Sequence, residues 1–210
     1  MTLGANTDAY CLEGQRLVVV SGSENNCPIN GGQTATAYRT EIETFNKVCG
    51  YGAQGSGGHE RFIVWTKAGL VLEYGFTGDA RIEKQGSPSG TVLTWALNRK
   101  LDRLGNYIDY VYAENNPEGA FRIEQIRYTG NTVTGQQPYA SVVFGYDNTT
   151  PSFLWFSGYV GGAKTQVIDR LRSITTYDGS TRARKYTLAY DNNGASERSR
   201  LTSVTECGLT

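Results

Sequence analysis

The chain has very few of the residues that usually reveal a protein's chemistry. It contains a single histidine, His59, one methionine and four cysteines, and no two cysteines form a Cys-x-x-Cys pair. Zinc sites need several such ligands at short spacing, so the sequence argues against a bound metal. The 20 basic and 20 acidic residues give a net charge of zero, so there is no electrostatic reason to expect nucleic acid. We therefore predict no metal, no cofactor and no nucleic-acid partner.

Long apolar runs are also missing. No stretch approaches the ~20 apolar residues that a membrane-spanning helix requires, so we predict no membrane-spanning segment. The N-terminus, MTLGANTDAY, has no basic segment followed by an apolar one, and a signal peptide is therefore not indicated. Three origins remain open: a cytoplasmic protein, a protein exported by another route, and part of a longer chain.

The four cysteines, Cys11, Cys27, Cys49 and Cys207, are predicted to be buried free thiols. A disulfide between Cys11 and Cys27 is also open, because spacing in the sequence does not fix the distance between two side chains. No cysteine is predicted to be a catalytic or metal-binding residue.

Residues typical of β-sheet are abundant. There are 14 Tyr, 7 Phe, 3 Trp and 26 Gly. Aromatic and β-branched residues favour strands, and frequent glycines favour turns. No stretch has convincing helical amphipathicity, whereas roughly 12 to 15 short strands separated by turns can be drawn, as in antiparallel sheet. We predict an all-β chain in which residues 1–210 form a single segment of hairpin-rich, meandering antiparallel sheet.

The clearest unit is a hairpin at residues 91–112, TVLTWALNRKLDRLGNYIDYVY. Residues 91–101 form one strand and 107–112 the other. Between them, Asp102 can accept bonds from turn amides, and Gly105 can take the positive φ that closes the turn. With Asp102 facing Asn106, the spacing predicts three facing pairs: Leu101 with Tyr107, Arg99 with Asp109, and Leu97 with Val111.

Similar alternation predicts strands through the rest of the chain. A hairpin at 8–20 turns at Glu13-Gly14, and strands at 61–67 and 70–75 are joined at Ala68-Gly69. Further strands are predicted at 37–49, 80–85, 121–128, 139–146, 153–160, 165–177, 183–190 and 199–206. Of these, 153–160 has the aromatic character of a buried strand, and 165–177 is predicted to be one long strand bent near Arg170.

The dipeptide Tyr-Asp occurs three times, at Tyr146-Asp147, Tyr177-Asp178 and Tyr190-Asp191. Each copy ends a predicted strand and opens a turn, where the tyrosine can pack on the sheet and the aspartate can cap the turn. The repetition indicates an array of hairpins in which neighbours bury one another. The alternative interpretation is that Tyr-Asp is common at strand ends in general.

Seven segments in a fixed order resemble a known group of bacterial toxin proteins. They run from about Tyr10 to Gly208. In order, they are CLEGQRLVVVSG, YRTEIETF, VWTKAGLVLEYG, DARIE, WALNRKLDRLGNYIDYVY, IRYTGN and RSRLTSVTECG. This order resembles the shell region shared by SpvB-type virulence proteins, the B components of insecticidal Tc toxin complexes and the Rhs/YD-repeat proteins.

The resemblance implies a large hollow β-shell, in which a continuous strip of antiparallel sheet spirals around a cavity that holds a toxic effector. This chain would be one arc of such a shell, a fragment of a larger toxin protein with no active site of its own. Its expected partners are the rest of the shell and the enclosed effector. Its expected location is extracellular or in a host, after a cytoplasmic stage and secretion without a visible signal peptide. As an isolated fragment with an unpaired edge, it is predicted to self-associate.

Catalytic functions would have to rest on single features of the sequence. SpvB-type proteins can carry an ADP-ribosyltransferase domain with a Glu-x-Glu pair, and Glu41-Ile42-Glu43 fits that string. A solvated strand face is the simpler interpretation. His59 could serve a Ser–His–Asp triad only if it were held rigidly, which we do not expect in a Gly-rich loop. No two carboxylates stand out as a glycosidase pair. We predict no catalytic, cofactor-binding or metal-binding residue.

A recognition module is the alternative from another functional class. Trp155, Tyr159 and Tyr139 could stack on sugars if they are exposed, as in a carbohydrate- or receptor-binding domain on a cell surface. Packing in the core or on the sheet is the simpler interpretation of these aromatic residues. The loop at 52–58 lacks the Lys-Ser/Thr of a phosphate-binding loop.

Overall fold

The computed structural model describes residues 2–3, 10–22, 26–53, 58–85, 91–147, 156–160, 162–191 and 199–208. In this part of the chain there are eighteen strands, 3-10 turns that include Gly78–Ala80 and Asn116–Glu118, and no α-helix. The prediction of an all-β chain is therefore confirmed. The strands are β1 (Thr2–Leu3), β2 (Tyr10–Leu12), β3 (Gln15–Val20), β4 (Ala35–Thr40), β5 (Lys47–Tyr51), β6 (Arg61–Trp65), β7 (Val71–Tyr74), β8 (Arg81–Glu83), β9 (Val92–Trp95), β10 (Leu97–Leu101), β11 (Asn106–Asn115), β12 (Ala120–Asn131), β13 (Ala140–Asp147), β14 (Phe156–Val160), β15 (Ala163–Val167), β16 (Arg170–Asp178), β17 (Thr181–Asp191) and β18 (Arg200–Cys207).

Most strands pair with their neighbour along the chain, and these pairs are antiparallel. One run of pairs extends from β2 to β7, a second from β10 to β13, and a third from β16 to β18. Strand β7 joins β10, and β13 joins β16, so the three runs form one continuous meander. This is the predicted meandering antiparallel sheet.

The N-terminal half of this sheet closes on itself because residues 92–101 are bent at Ala96. Strand β10, after the bend, pairs with β7, whereas β9, before it, pairs with β8 and β1. The Ala96 N–H donates to the Ala80 carbonyl at 2.8 Å, and its carbonyl accepts from the Gly75 N–H at 3.1 Å. Because β1 also pairs with β2, the ring of strands is complete. The single strand predicted at 91–101 is therefore two strands.

The interior of the closed half is aromatic. Phe62 and Trp95 are fully buried, and their rings meet edge to face with centroids 5.1 Å apart. Tyr10 packs against both rings. The Trp95 indole N–H donates to the Glu60 carbonyl at 3.0 Å, which satisfies its one polar atom. These side chains alternate with outward-facing ones along their strands, as the two-residue period of a strand requires.

A second, smaller core covers the outer face of β5 and β6. Cys49, Tyr51 and Ile63 are buried there. A disulfide joins Cys49 to Cys27, and the Tyr51 hydroxyl donates to the Pro28 carbonyl at 2.9 Å. Both contacts hold the segment before β4 against the sheet. The predictions of free thiols at Cys27 and Cys49 and of a Cys11–Cys27 bond are therefore wrong, because this segment folds back onto a strand distant in sequence.

Cys11 and Cys207 are free, as predicted, but neither is fully buried and Cys207 is exposed. The predicted burial of free thiols is therefore wrong at Cys207. This residue lies near the end of β18, where every residue of the strand is exposed.

Two predicted strands are each two shorter strands in the structure. The segment 37–49 spans parts of β4 and β5, and the chain turns between them. Phe45 has a φ of 58° there, and the hydroxyls of Thr40 and Thr44 are 2.8 Å apart. The segment 165–177 spans parts of β15 and β16, with a break at Ile168 and Asp169. Neither break contains a Gly or Pro, which is why the sequence pattern does not show it.

The central hairpin has the predicted turn and register. The Asp102 carboxylate accepts from the N–H groups of Leu104 and Asn106, and Gly105 has a φ of 82°. Leu101 faces Tyr107 and Arg99 faces Asp109, as predicted. The third predicted pair is wrong, because the ladder between β10 and β11 ends at Arg99. Beyond a bulge at Asn98, Leu97 faces Tyr74 instead, while Val111 faces Gln125.

Strands β14 and β15 form a hairpin outside the main meander. Since β13 pairs directly with β16, this hairpin joins the sheet through one parallel bridge, between Ala120 and Gln166. Phe156 and Tyr159 in β14 are 73% and 75% exposed. The predicted burial of 153–160 is therefore wrong for the described residues 156–160, and Trp155 lies outside them.

Candidate interaction surface

The sheet from β11 to β18 has two chemically different faces. In antiparallel pairs, facing residues lie on the same side of the sheet. One face carries mainly apolar side chains that are half-buried or exposed, together with Thr176 and the ion pair of Arg184 with Glu206. Its apolar residues are Ile126, Val142, Phe144, Ile174, Tyr186, Leu188 and Val204. The other face carries the more polar row Gln125, Val143, Thr175, Lys185 and Cys207. The apolar face is therefore a candidate surface for contact with another layer.

Very little is fully buried in this half of the chain. Among the described residues after Tyr107, the buried apolar side chains are only Ala120, Ala140 and Ala163. In the closed N-terminal half, by contrast, large side chains such as Phe62 and Trp95 are fully inaccessible. Packing within the described chain therefore does not cover the C-terminal sheet.

Tyrosines at strand ends tie neighbouring strands together in place of a core. The Tyr146 hydroxyl on β13 donates to the Ile123 carbonyl on β12 at 2.7 Å. The Arg122 guanidinium lies 4.8 Å from the centroid of the same ring. A cation over a ring and a hydroxyl bond thus act on one tyrosine, which fixes the register of the two strands.

The same arrangement recurs between β16 and β17. The Tyr190 hydroxyl donates to the Leu171 carbonyl at 2.8 Å, and the Arg170 guanidinium lies 4.7 Å from the ring centroid. Arg170 also donates to Asp147 at 3.0 Å, the residue directly opposite it on β13. One arginine therefore connects three strands. We call each such set of an arginine, the carbonyl after it and a tyrosine a tyrosine lock.

The central hairpin contains the hydroxyl half of a lock. The Tyr112 hydroxyl donates to the Leu97 carbonyl at 2.9 Å. The residue before Leu97 is Ala96, so no arginine covers the ring from this position. Burial raises the pKa of Tyr112 to about 12, and the phenol remains a hydrogen-bond donor at neutral pH.

The three Tyr-Asp copies are not equivalent in the structure. Each ends a strand, as predicted. Tyr146-Asp147 and Tyr190-Asp191 face a Leu-Arg pair on the next strand, at Leu171-Arg170 and at Leu201-Arg200. Tyr177-Asp178 instead lies at the other end of the strands, next to the β16–β17 turn, where Tyr177 faces Arg182. Only two copies therefore take part in the repeated arrangement.

Sequence reasoning missed the arginines of the tyrosine locks. The available signal was the dipeptide Arg-Ile or Arg-Leu, at Arg122-Ile123, Arg170-Leu171 and Arg200-Leu201. Each lies close to the start of a strand that precedes or follows a Tyr-Asp strand. An Arg-Ile or Arg-Leu dipeptide has to be considered together with a Tyr-Asp dipeptide, because the arginine and its tyrosine lie on different strands.

The predicted Glu-x-Glu string does not lie on a strand face. Glu41 and Glu43 are exposed in the turn between β4 and β5, and the Glu43 carboxylate accepts from the Phe45 N–H at 2.6 Å. The interpretation as a solvated strand face is therefore wrong about the strand, although the two side chains are solvated. The contact is a local turn bond.

His59 is held more firmly than the sequence predicts. Its Nε2 lies 2.8 Å from the Tyr38 hydroxyl, its backbone N–H donates to the Tyr10 hydroxyl at 3.0 Å, and its ring packs on Phe62. Burial lowers the pKa of His59, which favours the neutral ring. Burial also raises the pKa of Tyr38 to about 12. The predicted lack of rigid support is wrong, and these contacts are those of a packed core residue.

The Glu114 carboxyl group has a raised pKa. The Glu83 N–H donates to the Glu114 carboxylate at 3.4 Å, and the two side chains are neighbours. Burial, and then the charge of Glu83, raises the pKa of Glu114 to about 7. Within the described residues, no three His, Cys, Asp or Glu side chains converge as metal ligands. No described helix has the length and apolar character to cross a membrane.

The aromatic residues considered for sugar stacking lie in different parts of the fold. Tyr139 and Tyr159 are exposed, whereas Trp155 is outside the described residues. Tyr159 faces Lys164 across the β14–β15 hairpin, and Phe156 faces Val167. The structure thus brings Phe156 and Tyr159 onto one exposed hairpin and leaves Tyr139 elsewhere.

The fold is similar to that of several solved toxin structures. The N-terminal domain of effector protein SpvB from Salmonella typhimurium strain LT2 matches with a TM-score of 0.72 and 17% identity, over 94% of this chain and 80% of that chain. A structure of TcdB2-TccC3-Cdc42 matches with a TM-score of 0.72 and 19% identity, over 98% of this chain and 12% of that chain. The Photorhabdus luminescens Tc holotoxin pore matches with a TM-score of 0.72 and 20% identity, again over 98% and 12%.

The TM-scores of these matches show a shared fold, an all-β antiparallel meander like that of the Tc shell region. This chain spans only 12% of the matched Tc chains. A search of curated proteins found no match. The family described as Salmonella virulence plasmid 65kDa B protein, SpvB, matches residues 5–172. Because that match covers well over half of the 210 residues, the chain belongs to the SpvB family.

Proposed function

We propose that this chain is one arc of a toxin-enclosing β-shell, a segment of a larger toxin protein that helps to contain and deliver an effector. The observation that carries the proposal is the C-terminal sheet. Its apolar face includes Phe144, Ile174 and Leu188, yet the only buried apolar side chains among the described residues of that half are three alanines. A sheet of this kind gains stability when another layer or an enclosed chain covers it.

A shell that encloses an effector would account for the different chemistry of the two faces of the sheet. An unfolded effector exposes apolar side chains, which an apolar inner wall would accommodate without a specific binding site. The polar face, with Lys185, would then contact water, except at Thr175, which is buried. The expected partners are accordingly the rest of the shell and its enclosed effector, and the expected destination after synthesis in the cytoplasm is the extracellular space or a host.

We further propose that the segment is not catalytic. The Glu41 and Glu43 carboxylates are exposed in a turn, and His59 is packed among Tyr10, Tyr38 and Phe62. A catalytic group must reach a substrate in a defined geometry, and neither arrangement favours that. Incubation with labelled NAD and candidate protein targets is the direct check, and transfer of label that depends on Glu43 would contradict the proposal.

The decisive experiment uses the intact natural protein that contains this segment. Electron microscopy of single particles should show a hollow shell with this segment in its wall. Limited proteolysis should leave the enclosed effector intact until the shell is opened by denaturant, whereas the same effector alone is digested. A solid particle without a cavity, or an effector digested at the same rate in both states, would contradict containment.

The isolated chain provides a simpler check. With the apolar face uncovered, the purified segment should self-associate, and its sedimentation coefficient should rise with concentration. A monomer that is independent of concentration would favour a self-contained domain.

A recognition module is the second candidate, favoured by the exposed hairpin that carries Phe156 and Tyr159. Aromatic rings in such positions can stack on sugars. A glycan array decides between the two functions. Saturable binding of one glycan class that is lost in Tyr159→Ala and kept in Tyr177→Ala would support the module, and no binding would leave the shell segment as the function.

A further inference from the structure

Strand β18 begins in the same way as β16. In β16, Arg170 faces Asp147 and Leu171 faces Tyr146 on the preceding strand. In β18, Arg200 faces Asp191 and Leu201 faces Tyr190, and Arg200 donates to Asp191 at 2.9 Å. The contacts that β16 makes with its preceding strand are thus repeated by β18.

Strands β16 and β18 differ in their contacts on the other side, where a following strand of the sheet would lie. On that side Arg170 covers the Tyr190 ring, and the Leu171 carbonyl accepts the Tyr190 hydroxyl. In the part of the chain that the structure describes, β18 pairs with β17 alone, and no ring covers Arg200. The Arg200 side chain is 71% exposed, compared with 16% for Arg170. In β18 the arginine and the carbonyl of a tyrosine lock are therefore present without the tyrosine.

We propose that the free edge of β18 receives an antiparallel strand that ends in Tyr-Asp, in one register. The tyrosine hydroxyl of that strand bonds the Leu201 carbonyl, and its ring lies under Arg200. This inference rests on the proposed function, because the strand belongs to the adjoining part of the same shell. It adds to that function the sequence of the partner strand and its alignment.

The chemistry of the edge favours this partner over an arbitrary strand. Unpaired N–H and C=O groups on an edge accept any extended chain, so the backbone alone does not choose a register. Arg200 and Leu201 select one register, because a tyrosine lock forms only when the tyrosine lies one residue beyond the position opposite Leu201. The same offset occurs at Tyr190, where the pair Ser173–Thr187 places Ala189 opposite Leu171.

The β12–β13 pair supplies a probe whose register is known. There Gln125 faces Val143 and Arg127 faces Ser141, two and four residues after Ile123. With Leu201 in the place of Ile123, a peptide with the sequence of residues 137–147 has Val143 opposite Ser203 and Ser141 opposite Thr205. Its position 139 then lies opposite the exposed free thiol of Cys207.

The test is disulfide trapping between this peptide and the unaltered chain. Four peptides carry one cysteine each, by Tyr139→Cys, Ala140→Cys, Ser141→Cys or Val142→Cys. Oxidised glutathione serves as the oxidant, and formation of the disulfide with Cys207 is followed by mass spectrometry. The expected order is fastest at position 139 and slower at 141, because these share a face with Cys207, with little reaction at 140 and 142. Adding Tyr146→Phe to the Tyr139→Cys peptide should slow trapping about 2- to 10-fold, the effect of one hydrogen bond.

Three results would overturn the inference: a flat profile across the four positions, equal trapping by a peptide of scrambled sequence, or no trapping. A dimer that protects Cys207 through paired β18 strands would also overturn it, since the partner would then be a second copy of this chain. The readout is separate from that of the shell. An intact protein without a cavity contradicts containment even if the peptide is trapped in register, and failed trapping contradicts the lock even if a cavity is seen.

Discussion

Residues 10–107 and residues 108–208 are built from the same antiparallel hairpins, but different interactions stabilise them. In the first region the sheet closes around Phe62 and Trp95, and a disulfide joins Cys27 to Cys49. In the second region the sheet stays open, and tyrosine locks at Tyr146 and Tyr190 join its strands. The comparison teaches that a meander can continue beyond its core when polar contacts set the register.

The two kinds of interaction differ in energy. Burying one large apolar side chain contributes about 1.5–3 kcal/mol, whereas a cross-strand side-chain pair contributes about 0.2–1 kcal/mol. The closed region should therefore provide most of the free energy of unfolding. The open region should depend on whatever covers its apolar face.

Removing a ring from the closed core should have the largest effect. Phe62→Ala is expected to lower the free energy of unfolding by about 3–5 kcal/mol, because the fully buried ring leaves a cavity. Phe156→Ala is the matched variant in the second region, and its exposed ring should change stability by no more than about 0.5 kcal/mol. Denaturant titration measures both, and equal losses would remove the distinction between the regions.

Loss of the disulfide should come next. Cys27→Ala is expected to cost about 2–4 kcal/mol, because the bond closes a loop between residues 22 apart in sequence and restricts the unfolded chain. Cys207→Ala, at an exposed free thiol, is the control. If reduction of the native chain leaves its denaturation midpoint unchanged, the disulfide does not stabilise the closed region.

The turn that leads from one region to the other should be sensitive to a side chain at Gly105. Gly105→Val is expected to cost more than about 1 kcal/mol, because its φ of 82° resists a β-branched residue. A Cβ there would also lie 2.8 Å from Thr132 Oγ1 and from Val133 Cγ2. Gly78→Val, in open space, should cost much less. Similar thermal midpoints for the two variants would contradict this account of the turn.

The smallest expected effect is that of a single tyrosine lock. Tyr190→Phe removes the bond to the Leu171 carbonyl and should cost about 0.5–1.5 kcal/mol. Tyr177→Phe is the control, because no described residue bonds the Tyr177 hydroxyl. Thermal unfolding of both variants checks the prediction, and a Tyr190→Phe variant as stable as its control would show that the hydroxyl bond is dispensable.

Local chemistry was predictable from the sequence, and contacts between distant segments were not. Asp102 and Gly105 define their turn within five residues, so the register of Arg99 with Asp109 followed directly. The bend at Ala96 depends on Ala80 and Gly75, and the Cys27–Cys49 bond depends on how a preceding segment folds back. Neither relation leaves a periodic pattern.

The candidate surface was visible only in part. Each Tyr-Asp copy marked a strand end, but the arginine that covers the tyrosine lies 20 or more residues away, as Arg122 does from Tyr146. The aromatic run at 153–160 gave no indication that Phe156 faces solvent, because aromatic content indicates a strand without showing which side is covered.

Hydrogen exchange measured segment by segment tests the central comparison most directly. In the isolated native chain, the amides of β5 and β6 should exchange only through global unfolding, whereas those of β17 and β18 should exchange by local opening, at least about tenfold faster. Peptide-resolved mass spectrometry measures both in one experiment. Equal protection across the two regions would contradict the account, because it would mean that the open sheet is as stable without a covering layer as the closed core.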